Sequence, residues 1–172
     1  MKVDIFNTNK KYQIIYADPP WRYDFSKSDN RKIENQYQTM SIEDICNLPI
    51  PSAENSVLFL WATAPKLLEA LEVMKAWGYT YKTHSVWDKE TIGMGYWFRG
   101  QHELLLVGVK GKVSPPDPIN RRSSMFREKK TKHSKKPLWY RDYITTAFPK
   151  MKKIELFARD TAVGWDCWGN EV

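Results

Sequence analysis

Five short apolar or β-branched runs, Tyr12–Ala17, Val57–Ala62, Tyr79–Trp87, Glu103–Lys110 and Lys153–Phe157, punctuate the chain, with helix-patterned segments between them. Runs of this length bounded by polar or turn-forming residues read as buried strands. Ser41-Ile42-Glu43-Asp44 opens the first helix with a capping-box pattern, followed by apolar Ile42, Ile45 and Leu48 at helical spacing. Pro65 suits the first turn of a second helix, whose Leu67, Leu71, Met74 and Trp77 share a face, and Gly78 fits just past its end. A third helix is predicted over Pro137–Ala147, with Leu138, Tyr143, Ile144 and Phe148 available to pack. Strands alternating with helices predict an α/β fold, a mostly parallel sheet with helices on both faces. Such sheets bind ligands at the carboxyl ends of their strands. The length of 172 residues suits one domain, 1–172, with a single core. Two long polar connections, 22–38 and 111–134, stand outside the alternation and read as substrate-binding segments.

At the end of the first run stands Asp18-Pro19-Pro20-Trp21. A carboxylate and a proline carbonyl are both acceptors and together take the two N–H bonds of an exocyclic amine, while a neighbouring indole can stack on the ring that carries it. The lone pair of such an amine is delocalised into the ring. Acceptors on both hydrogens draw the nitrogen towards a tetrahedral form and aim the lone pair at an electrophilic methyl group, which is alignment plus electrostatic preorganisation. The same four residues also read as a strand stopped by two prolines, with Trp21 a core aromatic.

Charge is concentrated. Between Arg121 and Lys136 eight lysines and arginines face the single Glu128, so the net +7 of the whole chain resides in this stretch. Arg121, Arg122, Lys129 and Lys130 are the candidates for phosphate contacts, since cations on a nucleic-acid backbone release condensed counterions; alone, the run also reads as a solvated loop. No apolar stretch exceeds about nine residues, far short of a bilayer span, and the N-terminus lacks an apolar leader. Cys46 and Cys167 show no metal-ligand spacing, and His84, His102 and His133 fall in no zinc pattern. The expectations are free thiols, no metal, no membrane and a cytoplasmic protein of a bacterial cell or phage-infected host. Gly93, Gly95 and Gly100 are too scattered for a dinucleotide fingerprint.

Taken in order, Asp18-Pro19-Pro20-Trp21, Tyr37-Gln38-Thr39-Met40-Ser41, Phe59-Leu60-Trp61-Ala62-Thr63, Glu103-Leu104-Leu105-Leu106-Val107-Gly108-Val109-Lys110-Gly111, Lys135-Lys136-Pro137 and Ile154-Glu155-Leu156-Phe157-Ala158-Arg159 carry a resemblance. Together they resemble the adenine-N6 methyltransferase family that contains the catalytic subunit of the messenger-RNA adenosine methyltransferase and also bacterial and phage members. The resemblance extends from about Tyr12 to Asn170. It implies a Rossmann-like fold, S-adenosylmethionine as methyl donor and adenine N6 as target. Asp18, Pro19, Pro20 and Trp21 would then hold the flipped adenine, with Asp18 also near the donor. Tyr37 would help hold the substrate. Lys136, Glu155, Arg159 and Asn170 match positions that contact the donor, although each also reads blandly: a solvated lysine, an ion pair at a strand end, a terminal turn residue.

Departures from the family pattern are few. Gln38 replaces a glycine, Thr161 and Ala162 stand where the mRNA enzyme has a His-Asn pair, and Glu171 replaces a glutamine after Gly169-Asn170. The compact chain looks like the bacterial and phage members, which favours DNA over RNA. Specificity is then expected from the two loops or from a second subunit, a homodimer included. The competing readings are the same reaction on RNA and a catalytically inactive nucleic-acid-binding subunit.

Overall fold

The structure, a computed structural model, describes residues 1–23, 39–95, 97–130 and 135–172. Its strands are β1 (Tyr12–Ala17), β2 (Ser52–Ala62), β3 (Thr80–Asp88), β4 (His102–Lys110), β5 (Met125–Arg127), β6 (Lys153–Leu156) and β7 (Trp165–Trp168). Its α-helices are α1 (Ile42–Cys46), α2 (Leu67–Ala76) and α3 (Leu138–Ala147). The strands form one sheet in the order β5-β3-β4-β2-β1-β6-β7. β1 lies at its centre, parallel to β2 and to β6, with Ile15 opposite both Leu58 and Ile154.

All neighbouring pairs are parallel except those of β4, which runs antiparallel to β2 and to β3. The alternation expected from sequence therefore breaks once: β3 and β4 are joined by a hairpin connection, which an antiparallel pair permits and a parallel pair does not. That reversal matters for the site, because it brings the first residues of β4 to the end of the sheet where β1 and β6 finish.

Period-two alternation divides the core into two layers. Ile15 and Ala17 join the layer packed by Ile45 of α1 and Ala70, Val73 and Met74 of α2. Ile14 and Tyr16 join the opposite layer, packed by Tyr140, Ile144 and Ala147 of α3. Helices thus cover both faces, as the alternation predicted. The local signals hold too. Ser41 Oγ accepts from the Asp44 amide at 3.0 Å to cap α1, and Gly78 follows α2 with φ +82°.

Two strands were not expected. Part of the segment read as the loop 111–134 is β5, whose Val86↔Met125 and Asp88↔Arg127 pairing makes it an outer edge of the sheet. At the other edge, β7 pairs parallel with β6 across only residues 157–164, without a crossover helix. Both are too short and too mixed in composition to produce a periodic signal. No helix among the described residues is long and apolar enough to cross a membrane.

Candidate active site at the carboxyl ends of the central strands

β1 ends where Tyr16 pairs with Glu155 and Ala17 with Leu156, so Asp18 emerges directly beside the end of β6. The two prolines then stop the strand. The Trp21 amide donates to the Pro19 carbonyl at 2.9 Å, and the Met40 amide donates to the Pro20 carbonyl at 3.0 Å. One lone pair of the Pro19 carbonyl therefore remains for a substrate N–H.

The structure places Trp21 in the core. Its indole is only 4% exposed, belongs to the layer under α1 and α2, and donates Nε1–H to the Trp61 carbonyl at 3.1 Å. That bond ties the turn after Asp18 to the core. Trp21→Phe keeps an aromatic ring but removes the donor to the Trp61 carbonyl and leaves part of the indole's space empty. It is expected to cost about 1–3 kcal/mol of stability, seen as a lower melting temperature, while KM for nucleic acid changes little. A rise in KM at unchanged stability would restore the stacking role.

Asp18 is clamped. Lys136 Nζ donates to both of its carboxylate oxygens at 2.8 Å and lies 3.3 Å from Glu103 Oε2, and Lys89 Nζ reaches the other oxygen of Glu103 at 3.3 Å. The ammonium also sits 5.4 Å from the Trp61 ring centroid, a cation–π distance. Burial raises the Asp18 pKa and Glu103 adds to the rise, more than Lys136 and Arg159 lower it. Burial would lower the Lys136 pKa, but Asp18 and Glu103 outweigh it and hold the group above the ordinary lysine value. Lys136 is thus a permanent cation at neutral pH. Glu103 was visible in the sequence only as the start of a strand motif. Its place at the site depends on the reversed direction of β4, which no local signal announces.

Glu155 lies at the end of β6, where Arg141 of α3 donates Nη1–H to Glu155 Oε2 at 2.9 Å and to Asp160 Oδ1 at 2.6 Å. Burial pushes the Glu155 carboxyl upward against the opposing Arg141 cation. Arg141 is a site residue that sequence reading missed; in a helix its charge looks like solvated surface. Phe157, two residues after Glu155, has φ +59°, in the left-handed region that a bulky side chain rarely adopts. Arg159 Nε lies 3.6 Å from Glu171 Oε1.

Asp18, Lys136, Glu155 and Arg159 all line one cleft of about 380 Å³, together with Tyr16, Phe157 and Arg141. Asn170 is exposed and does not line it. Arg121, Arg122, Lys129 and Lys130 are exposed on either side of β5, also away from the cleft. Tyr37 lies outside the described residues.

Gly169 is needed for close packing: a Cβ there would collide with the backbone nitrogen and oxygen of Ala158, whose amide donates to the Trp168 carbonyl at 2.9 Å. Gly169→Ala must push the end of β7 from the turn carrying Arg159. A loss of about 1–3 kcal/mol is expected, measurable by thermal melting.

A family profile described as MT-A70 matches residues 12–171. The chain is similar to the Type II methyltransferase M.MunI of a Mycoplasma species, 38% identical, covering 95% of this chain and 78% of that protein. It is 31% identical to the human N(6)-adenine-specific methyltransferase METTL4, over 98% of this chain and 39% of that protein. It is 28% identical to the Arabidopsis thaliana N(6)-adenosine-methyltransferase MT-A70-like, over 99% of this chain and 25% of that protein. The chain therefore spans most of the first relative and well under half of the other two.

Proposed function

Since this chain belongs to the MT-A70 family and is an adenine N6 methyltransferase, we propose that it transfers a methyl group from S-adenosylmethionine to adenine in DNA, the target base flipped out to meet Asp18. The observation that carries this reading is the Asp18 carboxylate held by Lys136 at the mouth of the cleft. A carboxylate offers about four acceptor positions. With one directed to each oxygen by Lys136, positions remain for an amine N–H. Asp18 takes one hydrogen of the amine and the free lone pair of the Pro19 carbonyl takes the other, which orients the nitrogen lone pair.

The residues present suit the donor. Glu155 accepts hydrogen bonds from ribose hydroxyls, Arg159 provides a cation for a carboxylate, and Phe157 adds an apolar wall. The bound donor supplies an electrophilic methyl group. Lys136 keeps Asp18 ionised and fixes its rotamer, so Asp18 orients the amine instead of serving as an obligatory base. As the N–C bond forms the donor's S–C bond breaks to leave S-adenosylhomocysteine, and the strongly acidic methylated ammonium gives its proton to water. DNA is favoured over RNA by the likeness to the Type II methyltransferase, of which the chain covers 78%.

The test is methyl transfer from radiolabelled S-adenosylmethionine to matched double-stranded DNA, single-stranded DNA and RNA, followed by digestion and nucleoside identification. Label in N6-methyladenine of DNA is expected. Label confined to RNA would move the substrate; bound donor without label in any polymer would indicate an inactive subunit. Neutralising Arg121, Arg122, Lys129 and Lys130 is expected to weaken binding and flatten the log–log salt dependence on duplex DNA by about 0.9 for each phosphate that the variant ceases to neutralise. An unchanged slope would mean that the run is solvated only.

A further inference from the structure

A second cavity, of about 740 Å³, opens beneath residues 111–124 on the face of the sheet covered by α3, and it shares no lining residue with the Asp18 cleft. Well-packed interiors leave few voids, and this volume is on the scale of a ligand site. Among the described residues α3 is the only helix contributing to the core of this face, so Phe59, Leu105 and Val107 form an apolar floor with an irregular segment above it. One wall is aromatic. Phe126, Trp139 and Tyr143 form a parallel stack, with centroids 4.2 Å apart at 13° and then 5.4 Å apart at 6°, and Trp139 and Tyr143 both line the cavity.

Lys82, Lys112 and Arg122 line the cavity, and none of its described lining residues is an aspartate or glutamate. Arg122 is held in place by Nη1 bonds to the Ile119 and Arg121 carbonyls at 2.8 and 3.1 Å. An apolar floor, aromatic rings in the wall and cations with no acid beside them in the lining suit a flat aromatic group carrying negative charge.

The cations also lead somewhere. From Arg122 the chain passes along the edge strand β5 through Arg127 and Lys129 to Lys130, about 26 Å if fully extended at roughly 3.3 Å per residue. At the far end the Lys130 amide donates to the Lys89 carbonyl, and the Lys89 side chain joins Glu103, Lys136 and Asp18 in one ion-pair chain. We propose that the cavity receives an unpaired base of the same nucleic-acid strand that presents the target adenine, with the base against Tyr143, its phosphate at Arg122 and Lys82, and the intervening backbone tracked by β5. This rests on the nucleic-acid substrate proposed above and adds a second base-binding site to it.

The test uses the full chain and oligonucleotides that carry 5-iodouracil at one position at a time on either side of the target adenine. After irradiation, cross-linked peptides are mapped by mass spectrometry, and methyl transfer is measured on the same oligonucleotides. One position, several nucleotides from the target, is expected to cross-link to Trp139, Tyr140 or Tyr143. Combined Lys82→Glu and Lys112→Glu, at two exposed positions, should lower that yield about tenfold or more. Methylation without any cross-link to residues 139–143 would overturn the second site and leave the substrate reading intact. A cross-link there from iodouridine monophosphate but from no oligonucleotide would overturn it in favour of a free nucleotide. No methylation of any polymer would remove the reading on which both rest.

Discussion

Asp18→Ala and Asp18→Asn are expected to lose methyl transfer by at least 10²–10³-fold, the order found when one preorganised electrostatic group is removed from an active site, while nucleic-acid affinity stays within a few-fold. Alanine removes both acceptors. Asparagine keeps one oxygen but gives up the charge that Lys136 meets and that the proposed amine contact requires. Stability depends on the same charge. Burial, helped by Glu103, raises the Asp18 pKa above its ordinary value despite the opposing Lys136. A carboxyl whose pKa is raised by folding contributes stability below the unfolded value and loses it as pH climbs through the folded value. At neutral pH the ionised Asp18 is therefore a cost, tolerated for function. Asp18→Asn removes that cost while Lys136 keeps Glu103 at 3.3 Å, so at pH 7 it should melt closer to the wild-type temperature than Lys136→Met does. Retained turnover, or an Asp18→Asn variant that melts no higher than Lys136→Met, would contradict the role assigned to Asp18.

Lys136→Met should be nearly as damaging, for a different reason. It leaves Asp18 and Glu103 as neighbouring, largely buried carboxylates without the cation that bridges them. Breaking a buried pair costs up to about 3–5 kcal/mol, and the lower end applies because the Asp18 side chain is still 21% exposed. Lys136 lowers the Asp18 pKa at present, so its removal raises that pKa further. The acid limb of the pH–rate profile should shift to higher pH, and part of the roughly 10²-fold or larger loss in kcat should return as pH is raised. Asp18→Ala should show no such recovery. A Lys136→Met profile parallel to the wild type would leave Lys136 as a donor contact with no influence on Asp18.

These two residues differ in how legible they are. Asp18 is announced by its setting: an apolar run halted by two prolines places an acid at a strand end whatever the rest of the chain does. Lys136 is one of eight cations in its stretch, and only its packing beside Trp61 and Asp18 distinguishes it from solvated neighbours. Trp21 shows the opposite hazard. An indole next to a base-handling acid suggests stacking, but a side chain's direction is set by the core it meets, and the Trp61 carbonyl and the α1–α2 layer claim this one. Arg141 carried no signal, since its partners Glu155 and Asp160 come from a strand and a turn that meet α3 only after folding.

By itself the sequence determined the α/β class, the central strands, the three helices and the acid at the end of β1, because periodicity, capping residues and prolines act within a few residues of one another. Only the tertiary structure decided that β4 runs backwards, that Glu103 and Lys136 meet Asp18, that Trp21 belongs to the core and that β5 and β7 exist. Strand direction, ion pairing and edge pairing depend on residues distant in the chain, whose energies become definite when folding excludes water and fixes which groups face one another.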